Sequence, residues 1–315
     1  IFLFKILILN MKKNNKNISK LREKKNLTFR PVSSGIEKFL FKPLKVLDKG
    51  FIRVIDYMGN DSSIVQAARV SYGKGTKKKS QDEGLIRYLL RHRHTTPFEM
   101  CEIKLHVKLP IFIARQWIRH RTANVNEYSA RYSILEDEFY IPKISNLAEQ
   151  SSLNKQGRGQ EVDNTTAKKI INILLEDSKN CYNNYTWMLN EEGGGNFDKS
   201  RPSLSRELAR INLTLNTYTE WYWKVDLHNF MHFVSLRVDK HSQYEIRAYA
   251  EILLNILKSW VPITYRAFNS YRLNSAELSE ESLEIVKKLV EGKKVKRTET
   301  KLSKREWDEL MSLIR

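Results

Sequence analysis

Residues 119–133 read Arg-His-Arg-Thr-Ala-Asn-Val-Asn-Glu-Tyr-Ser-Ala-Arg-Tyr-Ser. Arg119, His120, Arg121 and Arg131 stand among Glu127, Ser129 and two asparagines, and no apolar stripe runs through them. A core element could not bury so many cations without partners, because stripping water from an unpaired charge is strongly unfavourable. An ordinary solvated face would more often carry lysine, whose point charge needs no planar partner. Arginine forks beside hydroxyl and amide groups match phosphates and planar acceptors. The segment reads as a binding loop.

Just upstream, Pro110 suits the first turn of a helix through Ile111, Ile113, Ala114 and Trp117. That helix would set Gln116 and Arg119 one turn apart on a common face. Before it, Phe98–Leu109 alternates, with Cys101, Ile103, Leu105 and Val107 on one face, as a strand with one buried side does. Ser80 with Glu83 forms a capping-box pattern that opens a helix through Leu85, Ile86, Leu89 and Leu90. Pro97 disfavours helix at the residue before it, so that helix should stop near His92–His94. Phe51–Asp56 alternates weakly as a strand, and a helix is expected around Ile64–Val70. A Gly73/Gly75 loop and a basic Lys77–Lys79 loop follow.

Downstream, Thr165–Leu189 has a helical pattern closed by the glycines at 193–195. Ser205–Thr214 starts another helix, with Arg206 and Arg210 sharing a face. Thr217–Val225 is aromatic and β-prone, and Asn229–Leu257 is a long helical region broken near Asp239-Lys240. Leu283, Val286 and Val290 mark an amphipathic stripe in a charged helical tail.

The chain has 315 residues, enough for one large domain or two small ones. Its formal charge of +19 points to an anionic partner: nucleic acid, an anionic membrane or a phosphorylated small molecule. Much of the excess lies in Lys12–Arg30, which reads as part of a disordered basic arm and does not decide function. Ile1–Leu9 is apolar but interrupted by Lys5. It is too short to span a bilayer and lacks the flanks of a secretory signal. The first ten residues are expected to precede the true start at Met11, an interfacial anchor being the alternative.

With Cys101 and Cys181 as the two cysteines there is no disulfide framework, in keeping with a reducing cytoplasm. Cys101 on a buried strand face and Cys181 in a polar helix read as packing residues rather than nucleophiles. Neither a Gly-x-Gly-x-x-Gly run nor a P-loop occurs, so side chains must hold any nucleotide. Arg210 and Arg237 sit among apolar neighbours, where an arginine usually snorkels to water or pairs with a carboxylate. His228 and His232 lie four apart, and with His241 they suggest a metal. No zinc-like set of acids or cysteines stands nearby, so polar-site or core histidines fit better and no metal is expected.

The spacing Arg-His-Arg, seven residues, then Ser129 resembles the signature of the flavin-dependent thymidylate synthases. Four segments between Phe51 and Arg272 carry the likeness, in the family's order and approximate spacing. They are His94-Thr-Thr-Pro-Phe-Glu99, Gln116 to Ser133, Arg210-Ile-Asn-Leu213, and Asp226-Leu-His-Asn229 running on through Leu236-Arg237 to His241-Ser-Gln-Tyr-Glu-Ile-Arg247. The resemblance implies an α/β (α+β) fold, with a mostly antiparallel central sheet and long helices, not a Rossmann fold. The domain would span 41–273, with the 1–40 arm and a charged helical extension over 274–315 outside it.

The resemblance further implies reductive methylation of dUMP to dTMP, using FAD, NADPH and methylenetetrahydrofolate. It implies a cytoplasmic homotetramer with shared active sites, and no stable nucleic-acid or membrane partner. By the same resemblance, Gln116, Arg119, Glu127, Tyr128, Ser129 and Ala130 surround dUMP together with Arg131, Arg210 and Arg237. Thr96, Glu99, Arg119, His120, Arg121 and Glu127 meet FAD with Asp226, Leu227, His228 and His232, and His94 lies near flavin and folate. The chemistry agrees. A phosphate dianion suits Arg131 and Ser129, a uracil ring suits the Arg237 fork, and Arg119 and Arg121 answer a pyrophosphate. Arg237 would hold the ring and stabilise negative charge as C5 becomes nucleophilic.

Two departures stand out. Leu213-Thr214 replaces the family's usual Leu-Pro, and Met100 stands where histidine is common. The rival reading is a basic nucleic-acid-binding protein that uses Arg119–Arg131, with steep salt dependence. It leaves Glu127 and Thr96-Pro97 without a role.

Overall fold

The computed structural model describes residues 29–70, 79–151, 157–193 and 195–314. Contacts divide the chain into units Ile1–Pro31 and Val32–Arg315, and the elements below belong to the second. The Gly73/Gly75 and Lys77–Lys78 loop lies outside the described residues. In chain order the elements begin with α1 (Ser34–Glu37), β1 (Pro43–Val46), β2 (Gly50–Met58), α2 (Asp61–Val70), α3 (Lys79–Arg91), α4 (Thr96–Glu99) and β3 (Glu102–Pro110). Then come α5 (Ile111–Trp117), β4 (Asn124–Glu127), β5 (Ala148–Gln150), β6 (Arg158–Glu161), α6 (Asn164–Leu189), α7 (Arg206–Ala209) and β7 (Tyr218–Asp226). The chain closes with α8 (Leu227–Arg237), α9 (Tyr244–Trp260), α10 (Pro262–Phe268), α11 (Glu280–Val290) and α12 (Lys304–Ile314).

Strands β1-β2-β3-β7-β4 form one antiparallel sheet in that order, and β5-β6 is a separate hairpin. The mixed helical and antiparallel architecture is the one expected. Alternation explains its layers. Ile103, Leu105 and Val107 of β3 and Trp221, Trp223 and Val225 of β7 are buried in the main core. His106, Lys108, Glu220 and Tyr222 lie at the alternate positions. Helix α9 supplies the matching stripe, with Ile246, Tyr249, Ala250, Leu253, Ile256, Leu257 and Trp260 all fully buried at helical spacing. Each such large apolar side chain contributes about 1.5–3 kcal/mol on burial.

The alternate positions carry an ion cluster. Lys108 Nζ contacts Glu138 and lies 3.5 Å from Glu220 and 3.6 Å from Glu136. Burial works to lower the Lys108 pKa, but the Glu138 bond and the neighbouring carboxylates outweigh it and the net shift is upward.

Trp117, at the end of α5, is fully buried. Its ring packs 5.3 Å from Trp223, 5.9 Å from Trp221, 4.5 Å from Phe233 and 5.9 Å from Tyr249, centroid to centroid. This aromatic hub fixes the point from which the Arg119–Arg121 segment departs. At the far end of β2, Gly59 takes φ +83° and its carbonyl accepts from Trp260 Nε1 at 2.9 Å. A Cβ there would lie 2.6 Å from Cys101 Sγ, so glycine is required twice over.

Several expectations change in detail. The signature is not wholly loop: Asn124–Glu127 pairs with β7 as an exposed edge strand. Four polar-biased residues carry too little period to announce this. Helix α5 ends at Trp117, so Arg119 lies past the helix rather than on its face with Gln116. The Ser205–Thr214 helix shrinks to α7 and a 3₁₀ turn at Arg210–Asn212, because Ala209 is buried while Leu208 and Ile211 are exposed and give no apolar stripe. Thr96–Glu99 forms a helical turn with Pro97 near its start, where its missing N–H costs nothing. Asn190 at φ 45° caps α6 ahead of the glycines. In the tail, Ile285, Leu302 and Leu310 form a small core of their own with Val286, whereas Leu283 and Val290 are exposed.

Candidate active site

Helix α8 organises the site. Asp226 caps its start, accepting from the Asn229 backbone N–H at 2.9 Å and from Asn229 Nδ2 at 2.7 Å. The polar residues His228 and His232, four apart, follow along one face towards Leu236 and Arg237. Three depressions adjoin along it. The first is lined by His94, Thr95, His228, His232, Arg272 and Glu277. The second is lined by Arg119, His120, Arg121, Asn229, His232 and Arg237. Gln116, Ser235, Arg237, Asp239, His241 and Gln243 are among those lining the third. His232 joins the first to the second and Arg237 joins the second to the third, so the three read as one groove. A more apolar hollow beside it, with Tyr88, Thr96, Pro97 and Met100, shares His94 and Thr95.

Electrostatics differ along the groove. Arg119 and Arg121 are exposed, and neither makes an ion pair among the described residues. Among the described residues they stand as free cations on a groove wall. Arg237 is half-buried, and its Nε donates to His120 Nε2 at 3.2 Å. Burial, then the charge of Arg237 and of His232, pushes the His120 pKa down to about 4. His120 is thus a neutral acceptor at ordinary pH, with Nδ1 carrying its proton. Burial also lowers the pKa of Arg237, without a carboxylate partner among the described residues.

The second half of the signature goes elsewhere. Glu127, at the end of β4, accepts from Thr219 Oγ1 at 2.8 Å. Tyr128 donates its backbone N–H to the Glu220 carbonyl at 2.8 Å. Ser129 Oγ accepts from the Arg131 backbone N–H at 3.3 Å, and Arg131 Nη2 lies 3.3 Å from Glu207. Arg210 is exposed, with its Nε 3.4 Å from the Glu207 carbonyl. Ala130 is buried in a second small core with Leu135, Tyr185, Leu189 and Ala209. Ser129, Ala130, Arg131 and Arg210 therefore gather at one end of β4, and Arg119–Arg121 with Arg237 at the other.

The remaining expected residues fall around the first depression or behind it. Thr96 is exposed and Glu99 partly so, both on α4. Leu227 is fully buried and its N–H bonds the Cys101 carbonyl at 2.8 Å, which leaves its side chain in the core. Sequence reading passed over Asn229, Gln243, Arg272 and Glu277. Asn229 and Gln243 lay inside quoted motifs, but nothing in their spacing marked them out. No group of histidines, cysteines and acids that could hold a metal occurs among the described residues.

The family model described as thymidylate synthase complementing protein matches residues 53–263. The flavin-dependent thymidylate synthase of Rickettsia bellii is 60% identical over 292 residues, covering 92% of this chain and 99% of that one. The chain belongs to this family. It is an enzyme of thymidylate synthesis that depends on a flavin. The flavin-dependent thymidylate synthases of Wolbachia pipientis wMel (60% identity, 91% of this chain and 97% of that one) and Gluconobacter oxydans (58%, 93% and 94%) are similarly related. Among solved structures, the UMP/dUMP methylase PolB of Streptomyces cacaoi bound with 5-Br UMP superposes with a TM-score of 0.63. It is 28% identical, over 74% of this chain and 99% of that one. The same methylase bound with 5-Br dUMP gives the same score and identity.

Proposed function

We propose that the chain converts dUMP to dTMP by reductive methylation, with FAD as its flavin, NADPH as reductant and methylenetetrahydrofolate as one-carbon donor. The observation that carries this reading is the groove along α8. Two arginines without an ion-pair partner among the described residues, a desolvated arginine and a neutral histidine converge there, on a fold shared with a UMP/dUMP methylase. The donor set fits a flavin dinucleotide: Arg119 and Arg121 suit its pyrophosphate, while His228, His232 and His94 offer flat, polar rings to its ring systems. When bound, the flavin passes the hydride.

The protein's own residues position and polarise. Arg237 presents its two Nη groups to a uracil carbonyl, and withdrawing electron density there stabilises charge spread from C5. Ser129, Arg131 and Arg210 suit the nucleotide phosphate. Since these lie at the other end of β4 from Arg237, the reading calls for sites completed between copies in a homotetramer. The stretch 41–273 would be the catalytic domain, with the arm and the 274–315 helices as additions. We place the enzyme in the cytoplasm; no helix among the described residues is long and apolar enough to cross a membrane. The relatives lend the nucleic-acid reading no support.

Purified protein tests this directly. It should show oxidised-flavin absorbance that NADPH bleaches under anaerobic conditions, faster with dUMP present. A protein that takes up no FAD would overturn the reading.

A further inference from the structure

Glu245, at the start of α9, is 4% exposed and wrapped in donors. Arg158 of β6 reaches both carboxylate oxygens, with Nη2 at 2.9 and 3.0 Å. Tyr140 donates its hydroxyl to Oε1 at 3.2 Å, and Gln243 donates Nε2 to Oε2 at 2.8 Å. From Gln243 the chain of bonds continues outward: Gln116 Nε2 donates to Gln243 Oε1. Gln116 and Gln243 both line the depression that Arg237 also lines.

The direction of every bond is set by chemistry. A carboxylate accepts and does not donate, so Gln243 must turn its N–H₂ towards Glu245. That leaves the Gln243 carbonyl for Gln116, which must commit an N–H to it. Gln116 Oε1, with no partner among the described residues, remains as an acceptor at the depression. Arg237 offers only donors to the same space. A ring held between them meets an acceptor beside a donor fork. The imide edge of uracil, an N–H flanked by two carbonyls, matches that pair. Cytosine, with a bare ring nitrogen beside an amino group, presents the reverse.

We propose that Glu245 is a positioning residue that sets pyrimidine specificity: through Gln243 it holds the Gln116 amide with its oxygen towards the substrate ring, so that the site takes uracil over cytosine. The inference rests on the dUMP reading above and deepens it.

Glu245→Gln is one informative variant: it puts an amide where the carboxylate stood, and the orientation that keeps its oxygen on Oε1, where both Tyr140 and Arg158 donate, turns its nitrogen to Gln243. Its new N–H₂ then faces Gln243, which must flip, and Gln116 flips in turn to offer N–H instead of C=O. Equilibrium binding of dUMP and dCMP to the flavin-loaded protein reads the result. Wild type should favour dUMP strongly. Glu245→Gln should weaken dUMP by about tenfold or more and narrow or reverse the dUMP/dCMP ratio, with flavin content unchanged. Gln243→Leu, at an exposed position, breaks the relay while leaving Glu245 and Arg158 paired. It should narrow the same ratio, and it decides the matter if Glu245→Gln does not fold.

Wild-type dUMP/dCMP ratios in both variants would overturn the inference and leave the proposed function standing. So would a parallel loss of flavin and both nucleotides in Glu245→Gln with the ratio intact in Gln243→Leu, the mark of a structural role alone. A wild-type, flavin-loaded protein that binds no dUMP would instead overturn the functional reading, and the inference with it.

Discussion

Arg237 Nε stands 3.2 Å from His120 Nε2, which ties the last residue of α8 to the middle of the Arg-His-Arg segment. The guanidinium can only donate, so the imidazole must accept and stay neutral. With Nε on His120, both Nη groups have no partner among the described residues and can meet a planar ligand as a fork.

The pH behaviour of His120 follows from that bond. Its pKa is lowered to about 4, first by burial and then by Arg237 and His232, from an ordinary value of 6.5. Its ring resonances should therefore stay constant from about pH 8 down to about pH 5, where an unperturbed histidine titrates. The unfolded chain takes up the proton in the window between 4 and 6.5 while the folded one does not, so this residue's contribution to stability rises with pH there. An NMR titration with a midpoint near 6.5 would refute the neutral-acceptor assignment.

Removing the fork should separate binding from chemistry. Arg237→Ala is expected to retain flavin while dTMP formation falls by about 10²–10³-fold, the usual loss for one preorganised electrostatic donor. Arg237→Lys should fail similarly, because a point charge cannot bond His120 and a carbonyl in the same planar geometry. Steady-state turnover with quantified flavin content checks both, and wild-type turnover in either variant would remove Arg237 from the chemistry.

The proposed sharing of the site between copies has its own signature. Arg131→Ala and Arg237→Ala should each be strongly impaired alone. Mixed by denaturation and refolding together, they should regain part of the wild-type rate, since some sites then combine two intact halves. Mixed assemblies verified by mass spectrometry yet inactive would place both groups in one chain's site.

Lys108 offers a stability test away from the groove. Replacing it with methionine takes the shared cation from Glu136, Glu138 and Glu220, which keep partial access to water, at a cost of about 1–3 kcal/mol near neutral pH. The stranded carboxylates repel one another and hold their protons more tightly than in the unfolded chain, so the variant's deficit should shrink as pH falls towards 5. Urea unfolding at two pH values measures this; a deficit that stays constant would mean the cluster is solvated.

Much of this arrangement could be read from residue order. The alternation of Cys101, Ile103, Leu105 and Val107 announces a one-sided strand, and the aromatic run Thr217–Val225 announces its neighbour, because a period of two leaves repeated marks. The Arg-His-Arg segment and Arg237 stand out as candidate site residues through motif resemblance, and the fold brings them to one groove. What lay hidden was distance. Nothing in the run from Arg121 to Arg131 says that Asn124–Glu127 extends as a strand and carries Arg131 away from Arg119. Nor does sequence show that Arg158, far along the chain, would find Glu245, since such a pairing exists only once the sheet and α9 have packed.

Cys101 adds one last consequence. Its side chain is wholly enclosed, and burial, with the Asp61 charge behind it, pushes the thiol up to about 12. At that value almost none is thiolate in the cell, and alkylating or oxidising agents have neither the anion nor the access they need. Thiol-directed electrophiles and peroxides should therefore pass Cys101 by and react first at the partly exposed Cys181.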